Sequence, residues 1–450
     1  MSGRHAGQGT RGPCSYMVRP DTIAHRHYPC AGHVQKLAPP SKTNWLAVHR
    51  WSASLKAVIG LGALQVIGWG TTFSTVTVFG STIGDELGLD RVVIFGGVTL
   101  QLLVAALLSP RIGKLIDRMG ARRIMVAGSF VAALAMLVQS AATGLASYML
   151  GWVLIGIAAP LMLNNAAMPG LVQVVGPNAR RWITGLTLIS GLTSTVFLPM
   201  NFLLLETVGW RWAYVIYAGL HVFICAPVHW LVLRRGAGVE DNAGAEARDR
   251  PHPDGILAPE HKRRAFVLIA IWACTEGLLT WGLYMQVIDV LKAMGLTAGA
   301  AIGVWAIVGP AQATARLGEL VFAGRYSILT TAFCSALFTT FSFFAFLLFG
   351  VNIASAMLFC VLMGVGHGLF AVARNTLPLT LFGAREYGSW MGLLMAPQSI
   401  ANAAAPLVFA GVISHWSPAA AFWVAGVGAG LGFVSVVTLV RFCKPALEGR

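Results

Sequence analysis

Charge is what this chain lacks. Only 11% of its 450 residues are Asp, Glu, Lys or Arg, against about a quarter in a soluble domain. A chain of 47.8 kDa with so few charges cannot cover a water-facing surface of its size. That excludes a soluble enzyme or a soluble nucleic-acid binder. Cysteine is sparse and irregular: seven residues, with no spacing that reads as a disulfide framework or a tetrahedral zinc site. No Gly-x-x-x-x-Gly-Lys-Ser/Thr phosphate loop occurs, which argues against an ATP-driven pump. No loop is long enough to hold a soluble catalytic domain.

Apolar length is what it has. Hydrophobic residues make up 56% of the chain and mean hydropathy is +0.70. A membrane-crossing helix needs about 20 mostly apolar residues. Twelve such stretches are present: 57–79, 92–109, 124–143, 147–169, 184–205, 212–234, 265–288, 298–318, 327–349, 353–374, 388–411 and 418–441. They do not alternate in hydrophobicity every second residue, as barrel strands do. The reading is an all-α membrane protein with twelve transmembrane helices.

The basic residues fall on one side. With a cytoplasmic N-terminus, Arg91, Arg211 and Lys292 are the only bases left outside, as the positive-inside rule requires. The loop after the second span carries Arg111, Lys114, Arg118, Arg122 and Arg123. The net charge of +15 is therefore a topology signal, and no nucleic-acid partner is expected. Both termini are expected in the cytoplasm.

Residues 1–55 are polar and basic and read as a disordered cytoplasmic tail. No short apolar run precedes a cleavage site there, so they do not read as a secretory signal. Cys14, Cys30, His25, His27 and His33 fit no familiar metal-ligand spacing, and no metal or other cofactor is expected. Residues 235–264 mix acidic and basic residues with Pro251, Pro253 and Pro259, and read as a cytoplasmic linker. It separates a six-helix bundle over 56–234 from another over 265–441, with a cytoplasmic tail at 442–450.

The two halves echo each other at an offset of about 205–209 residues. Arg111-Ile112-Gly113-Lys114-Leu115-Ile116 matches Arg316-Leu317-Gly318-Glu319-Leu320-Val321. Val153-Leu154-Ile155-Gly156-Ile157 matches Val361-Leu362-Met363-Gly364-Val365, and Trp210 matches Trp416. Two pseudo-symmetric six-helix bundles built from parallel repeats are one architecture of secondary transporters.

The loop between spans 2 and 3 reads Gly113-Lys114-Leu115-Ile116-Asp117-Arg118-Met119-Gly120-Ala121-Arg122-Arg123. It resembles the signature loop of the major facilitator superfamily, and the resemblance covers roughly residues 56–445. Gly113 permits close helix approach. Asp117, an acid among cations, suits an arginine or a helix N-terminus. Gly113, Asp117, Arg118, Gly120 and Arg122 are thus candidate parts of a conformational gate. A narrower resemblance is carried by Arg180-Arg181-Trp182-Ile183-Thr184-Gly185, by Gly209-Trp210-Arg211-Trp212-Ala213-Tyr214 and by Gly68-Trp69-Gly70-Thr71-Thr72-Phe73. These are similar to bacterial relatives of the monocarboxylate and oxalate/formate transporters. The resemblance implies alternating access, small organic anions, often a coupled proton, and a bacterial-type inner membrane. The Gly-Pro-x-x-Gly-Gly run of drug–proton antiporters is absent, since Met200 and Asn201 follow Pro199. Trp152 stands four residues before Gly156, where many proton-coupled members carry Arg.

The resemblance also implies that spans 1, 4, 7 and 10 line a central cavity. Glu276, about 11 residues into span 7, lies roughly 17 Å from its inner edge by helical rise. An unpaired charge is costly there. Glu276 reads either as a proton-coupling carboxyl or as a structural hydrogen-bonding group. Thr280 and Tyr284 continue its stripe. Arg374 in span 10 reads either as a substrate cation, bidentate to a carboxylate, or as an interfacial side chain reaching water. Arg316 faces the same choice, with gate favoured over substrate. Inside the N-terminal spans there is no Asp, Glu, Lys or Arg before the terminal Arg234. Gln65, Trp69 and Thr72 share one face of span 1, and Asn164 and Asn165 add polarity in span 4. All five read either as substrate contacts or as helix-to-helix hydrogen bonds. His221, His229 and His367 read as packing residues, as do Cys225, Cys274 and Cys360. Two functions stay open: a proton-coupled carrier of small organic anions such as monocarboxylates, or an efflux carrier for drugs or toxic solutes including metalloids.

Overall fold

A computed structural model describes residues 42–176, 179–233, 255–322 and 325–448. Met1–Trp45 and Leu46–Arg450 are separate compact units. Of the first, only residues 42–45 are described, and they are helical. Apart from that helix start, everything below concerns the second. The cysteines and histidines of the tail, and most of the linker, lie outside the described residues.

Lipid offers no partner to backbone N–H and C=O, so each apolar stretch closes its hydrogen bonds on itself as a helix. Among the described residues, eleven helical stretches are long and apolar enough to cross a membrane. One of them, Arg180–Val232, runs for 53 residues and turns at Gly209, whose φ of 76° is a left-handed value that favours glycine. Divided there, it supplies two crossings and the total becomes twelve.

The twelve are numbered α1 to α12. α1 is Lys42–Thr72 followed by Ser74–Leu87, broken at Phe73. α2 is Arg91–Met119 and α3 is Ala121–Ser140. α4 is Leu145–Met162 and Asn164–Val175, broken at Leu163 just after Pro160. α5 is Arg180–Ser190, resuming at Thr193 and ending before Gly209. α6 runs from Gly209 through the wide turn His221–Cys225 to Ala226–Val232. α7 is Pro259–Leu278, a second wide turn at Leu279–Leu283, and Tyr284–Ala293. α8 is Ala298–Trp305 with Val308–Phe322, and α9 is Ile328–Phe349. α10 is Ile353–Phe382, α11 is Tyr387–His415 and α12 is Pro418–Glu448.

Three expected boundaries move. Helix begins at Lys42, inside the expected tail, and at Pro259, inside the expected linker. It also runs to Glu448 through the expected C-terminal tail. Hydropathy marks where lipid begins, and a helix does not stop at that level. Pro259 suits the first turn, where its missing N–H has no partner to lose.

The halves repeat one packing plan. α3 lies on α4 and α2 on α4 in the first half, and α9 lies on α10 and α8 on α10 in the second. Small residues permit it. A Cβ on Gly156 of α4 would lie 2.9 Å from the Gln101 carbonyl oxygen of α2. A Cβ on Gly364 of α10 would lie 2.8 Å from the Val308 carbonyl oxygen of α8. The glycine that recurs in the sequence therefore performs one task twice. Between halves, α2 packs on α11 and α5 on α8 and α10, while the second segment of α4 meets α11.

Candidate functional site

A cavity of about 50 Å³ opens between the halves, lined by Trp69 and Phe73 of α1, Gln101 and Ser109 of α2, and Asn164 and Asn165 of α4. Met395 and Ser399 of α11 close its other wall. The break in α4 builds the N-terminal side. Leu163 leaves the helical conformation, and the Met162 carbonyl accepts 2.9 Å from Nε2 of the buried Gln65. Gln65 thus holds the break and does not line the cavity. The break turns both asparagines inward, and Asn165 Nδ2 donates 2.7 Å to the Ser109 hydroxyl. Thr72 is also buried away from the cavity, its hydroxyl bonding the Gly68 carbonyl at 2.6 Å. Of the expected face on α1, only Trp69 reaches the space.

Aromatic rings bridge the halves here. Trp69 and Phe73 lie 4.8 Å apart by centroid, and Phe73 and Trp281 of α7 lie 5.2 Å apart. Phe73 sits at the break in α1, and Trp281 lies in the wide turn of α7. The two are repeat equivalents at an offset of 208 residues.

Arg374 is 7% exposed. Nη1 donates to Gln398 Oε1 at 2.8 Å and contacts the Met395 sulfur at 3.2 Å, and Nη2 donates to Asn375 Oδ1 at 2.9 Å. Nε has no partner. Among the described residues no carboxylate pairs with this guanidinium. Met395 lines the cavity and Arg374 does not, so a fixed cation with neutral partners stands directly behind that wall.

Glu276 is buried, and its Oε2 lies 3.8 Å from His367 Nδ1. The Thr280 hydroxyl bonds the Glu276 carbonyl at 2.8 Å and lies 3.4 Å from the same His367 nitrogen. The Tyr284 ring stands 5.5 Å from the imidazole by centroid, and its buried hydroxyl has no partner. The expected stripe on α7 is therefore one cluster, closed by an α10 histidine that reads from sequence as packing. α11 links the cluster to Arg374, because Gln398, the Arg374 acceptor, packs 3.6 Å from where a Cβ on Gly277 would lie.

One end of the molecule is latched. Odd-numbered helices begin and even-numbered helices end there. Asp117, near the end of α2, caps the start of α11. Its Oδ1 accepts from Gly388 N–H at 2.9 Å, and its Oδ2 accepts from Ser389 N–H at 2.7 Å and the Ser389 hydroxyl at 2.5 Å. Gly113 lets α2 reach the Gly388 carbonyl, where a Cβ has no room. In the other half, Glu319 near the end of α8 pairs with Arg180 at the start of α5 at 2.7 Å. Tyr326 donates to Glu319 at 2.7 Å and Thr331 at 3.2 Å. Burial and the adjacent carboxylate push the Tyr326 phenol up to about 12, so it stays a donor. Each half thus sends a carboxylate from its second helix to the fifth helix of the other. Arg316 adds a third crossing, donating to the Thr187 carbonyl at 3.2 Å. Its place between halves fits a gate. Not every expected gate residue crosses. Arg118 is exposed. Arg122 stacks on Trp230 of α6 at 3.4 Å, within its own half. Gly120 supplies the tight α2–α3 joint at φ 84°.

Arg180, Glu319, Trp281, Gln398 and His367 were not legible as site residues. Glu319 appears in the repeat, but 139 residues separate it from Arg180, and nothing in sequence pairs them. Two other histidines meet hydroxyls: His221 lies 2.9 Å from Thr71 and His229 2.9 Å from Ser129. Among the described residues no cluster of three His, Cys, Asp or Glu stands ready for a metal.

Twelve crossings in two repeated halves with a cavity between them, latched at one end, define a class of multi-pass integral membrane protein. The chain belongs to the Major Facilitator Superfamily, whose family model matches residues 61–377. Family and fold are those of transporters and not of enzymes. Among proteins of known function it is similar to monocarboxylate transporter 3 of Rattus norvegicus, 25% identical over 308 residues. That match takes in 64% of this chain and 59% of the relative, so the chain spans about three fifths of the relative's length. The fold resembles the human organic anion transporter MFSD10 (TETRAN), at TM-score 0.63 and 14% identity over 89% of this chain and 100% of that one. It also resembles the proton:xylose symporter XylE bound to 6-bromo-6-deoxy-D-glucose, at TM-score 0.66 and 14% identity over 88% and 96%.

Proposed function

We propose that this chain is a proton-coupled carrier of small organic anions such as monocarboxylates, working by alternating access. The observation that carries the reading is Arg374: a buried guanidinium directly behind the Met395 wall of the cavity, held by a neutral amide on each side, with no carboxylate paired to it among the described residues. Guanidinium binds carboxylate in a bidentate fork, and a buried cation without a counter-charge favours an anionic visitor. The similarity to a monocarboxylate transporter agrees with this reading. Glu276, buried 3.8 Å from His367, is the candidate proton site. The loop bases support a cytoplasmic latched end, and on this reading the Asp117 and Glu319 latches hold the inner side shut while substrate enters from outside. Breaking them lets the halves rock around the cavity. Arg374→Gln, inserted normally in proteoliposomes, is expected to lose at least ~10-fold in carboxylate uptake, the cost of one charge-assisted bond pair. Uptake equal to wild type would remove Arg374 from the site. Failure of every carboxylate with folded wild-type protein would turn the reading toward efflux of drugs or toxic solutes.

A further inference from the structure

The cavity holds one side chain that neither the fold nor the anion site uses. Gln101 of α2 is 1% exposed, yet neither its amide oxygen nor its amide nitrogen has a hydrogen-bond partner. It lines the central cavity beside Asn164 and Asn165, each of which leaves its side-chain oxygen open as well. A buried amide open at both atoms is costly. Facing a cavity, it is ready for whatever arrives there. Gln139 provides the contrast. It too is buried with both amide atoms open, but it packs against Gly151 and is not among the residues lining this cavity.

We infer that Gln101 is a specificity-determining residue that reads a neutral hydrogen-bonding group, such as a hydroxyl or oxo group, on the same small carboxylate that Arg374 holds. The inference rests on the anion reading above. The two walls divide the chemistry. A cation stands one side chain behind the C-terminal wall, since Arg374 contacts Met395 and Met395 faces the cavity. The N-terminal wall offers amides and the Ser109 hydroxyl and no charge. An amide both donates and accepts, so it satisfies a hydroxyl or an oxo group without needing a charge. An unsubstituted alkyl tail leaves both Gln101 atoms open. A second carboxylate meets no cation on that wall. The carrier therefore selects for a singly charged acid with a polar substituent, because a site built to bond a substrate hydroxyl rejects the analogue that lacks it.

The test uses the full chain in proteoliposomes and two probes differing by one hydroxyl, lactate and propionate. Wild type is expected to take up lactate at least ~10-fold faster than propionate below saturation, the worth of one satisfied buried bond. Gln101→Leu is expected to bring that ratio to within about threefold of unity while propionate uptake continues. Gln139→Leu serves as the control and keeps the wild-type ratio. Gln101→Asn, which retracts the amide by one methylene, lowers the ratio by about threefold or more and decides the matter if the leucine variant does not insert. An unchanged ratio in the Gln101 variants, or equal uptake of both probes by wild type, overturns the assignment and leaves the anion reading standing. No uptake of either probe by folded wild type overturns both.

Discussion

On the proposed reading, single residues carry the chemistry, and Arg374 and Glu276 divide it. Arg374 keeps a permanent charge beside the cavity. Glu276 is buried beside Thr280, with its Oε2 3.8 Å from His367 Nδ1. If Glu276 carries the proton, Glu276→Gln uncouples the carrier. Uptake by that variant is expected to ignore an imposed pH gradient, while exchange of labelled for unlabelled anion, which needs no net proton movement, keeps at least about a tenth of its rate. Gradient-dependent uptake at wild-type strength in the variant would remove Glu276 from the proton path. Glu276 and Arg374 were legible in sequence because an ionisable residue inside an apolar run stands out. His367 was not, since a histidine in a membrane helix is an ordinary packing residue until its neighbours are known.

At the scale of elements, the latches and the small-residue contacts set which helices meet. Asp117 supplies three charge-assisted bonds to the first turn of α11, where the exposed N–H groups favour an anion. Asp117→Asn removes the charge and is expected to weaken the latch by about 1–2 kcal/mol. That corresponds to a shift of roughly 5- to 30-fold toward the state open at this end. Spin labels on the inner ends of α2 and α11 would report a longer-distance population, and an unchanged distance distribution would contradict the latch. Gly156 and Gly364 make the same point in packing. Valine at either is expected to cost about 1–3 kcal/mol by overpacking and to lower the melting temperature. Gly303→Ala, with open space around it, is expected to leave the melting temperature near that of wild type, and a valine variant matching that control would contradict the close approach. The paired glycines were visible as a sequence echo. The Asp117 contact was half visible: the acid announces itself, but its partner stands 271 residues away, and only the fold brings α11 to it.

For the whole molecule, the repeat is the organising fact. Apolar runs and one-sided bases make twelve crossings readable, and a constant offset makes two halves readable, because lipid imposes those patterns on any sequence that spans it. What lies between the halves obeys no such rule. Phe73 and Trp281 are equivalent positions whose rings meet between the halves, and Arg180 and Glu319 join the halves at the latched end. None of these pairs leaves a local mark in the sequence, since each depends on how two bundles face each other. Helix ends were misjudged for a related reason: Lys42, Pro259 and Glu448 lie in helix that continues past the apolar stretch.

The central claim is proton-driven movement of a small carboxylate, and the most direct measurement is uptake of labelled short carboxylates by reconstituted wild-type protein with and without an inward proton gradient. The account predicts that the gradient accelerates uptake of at least one of them and that dissipating it with a protonophore abolishes the acceleration. Folded, correctly inserted protein that takes up no carboxylate under either condition would contradict it.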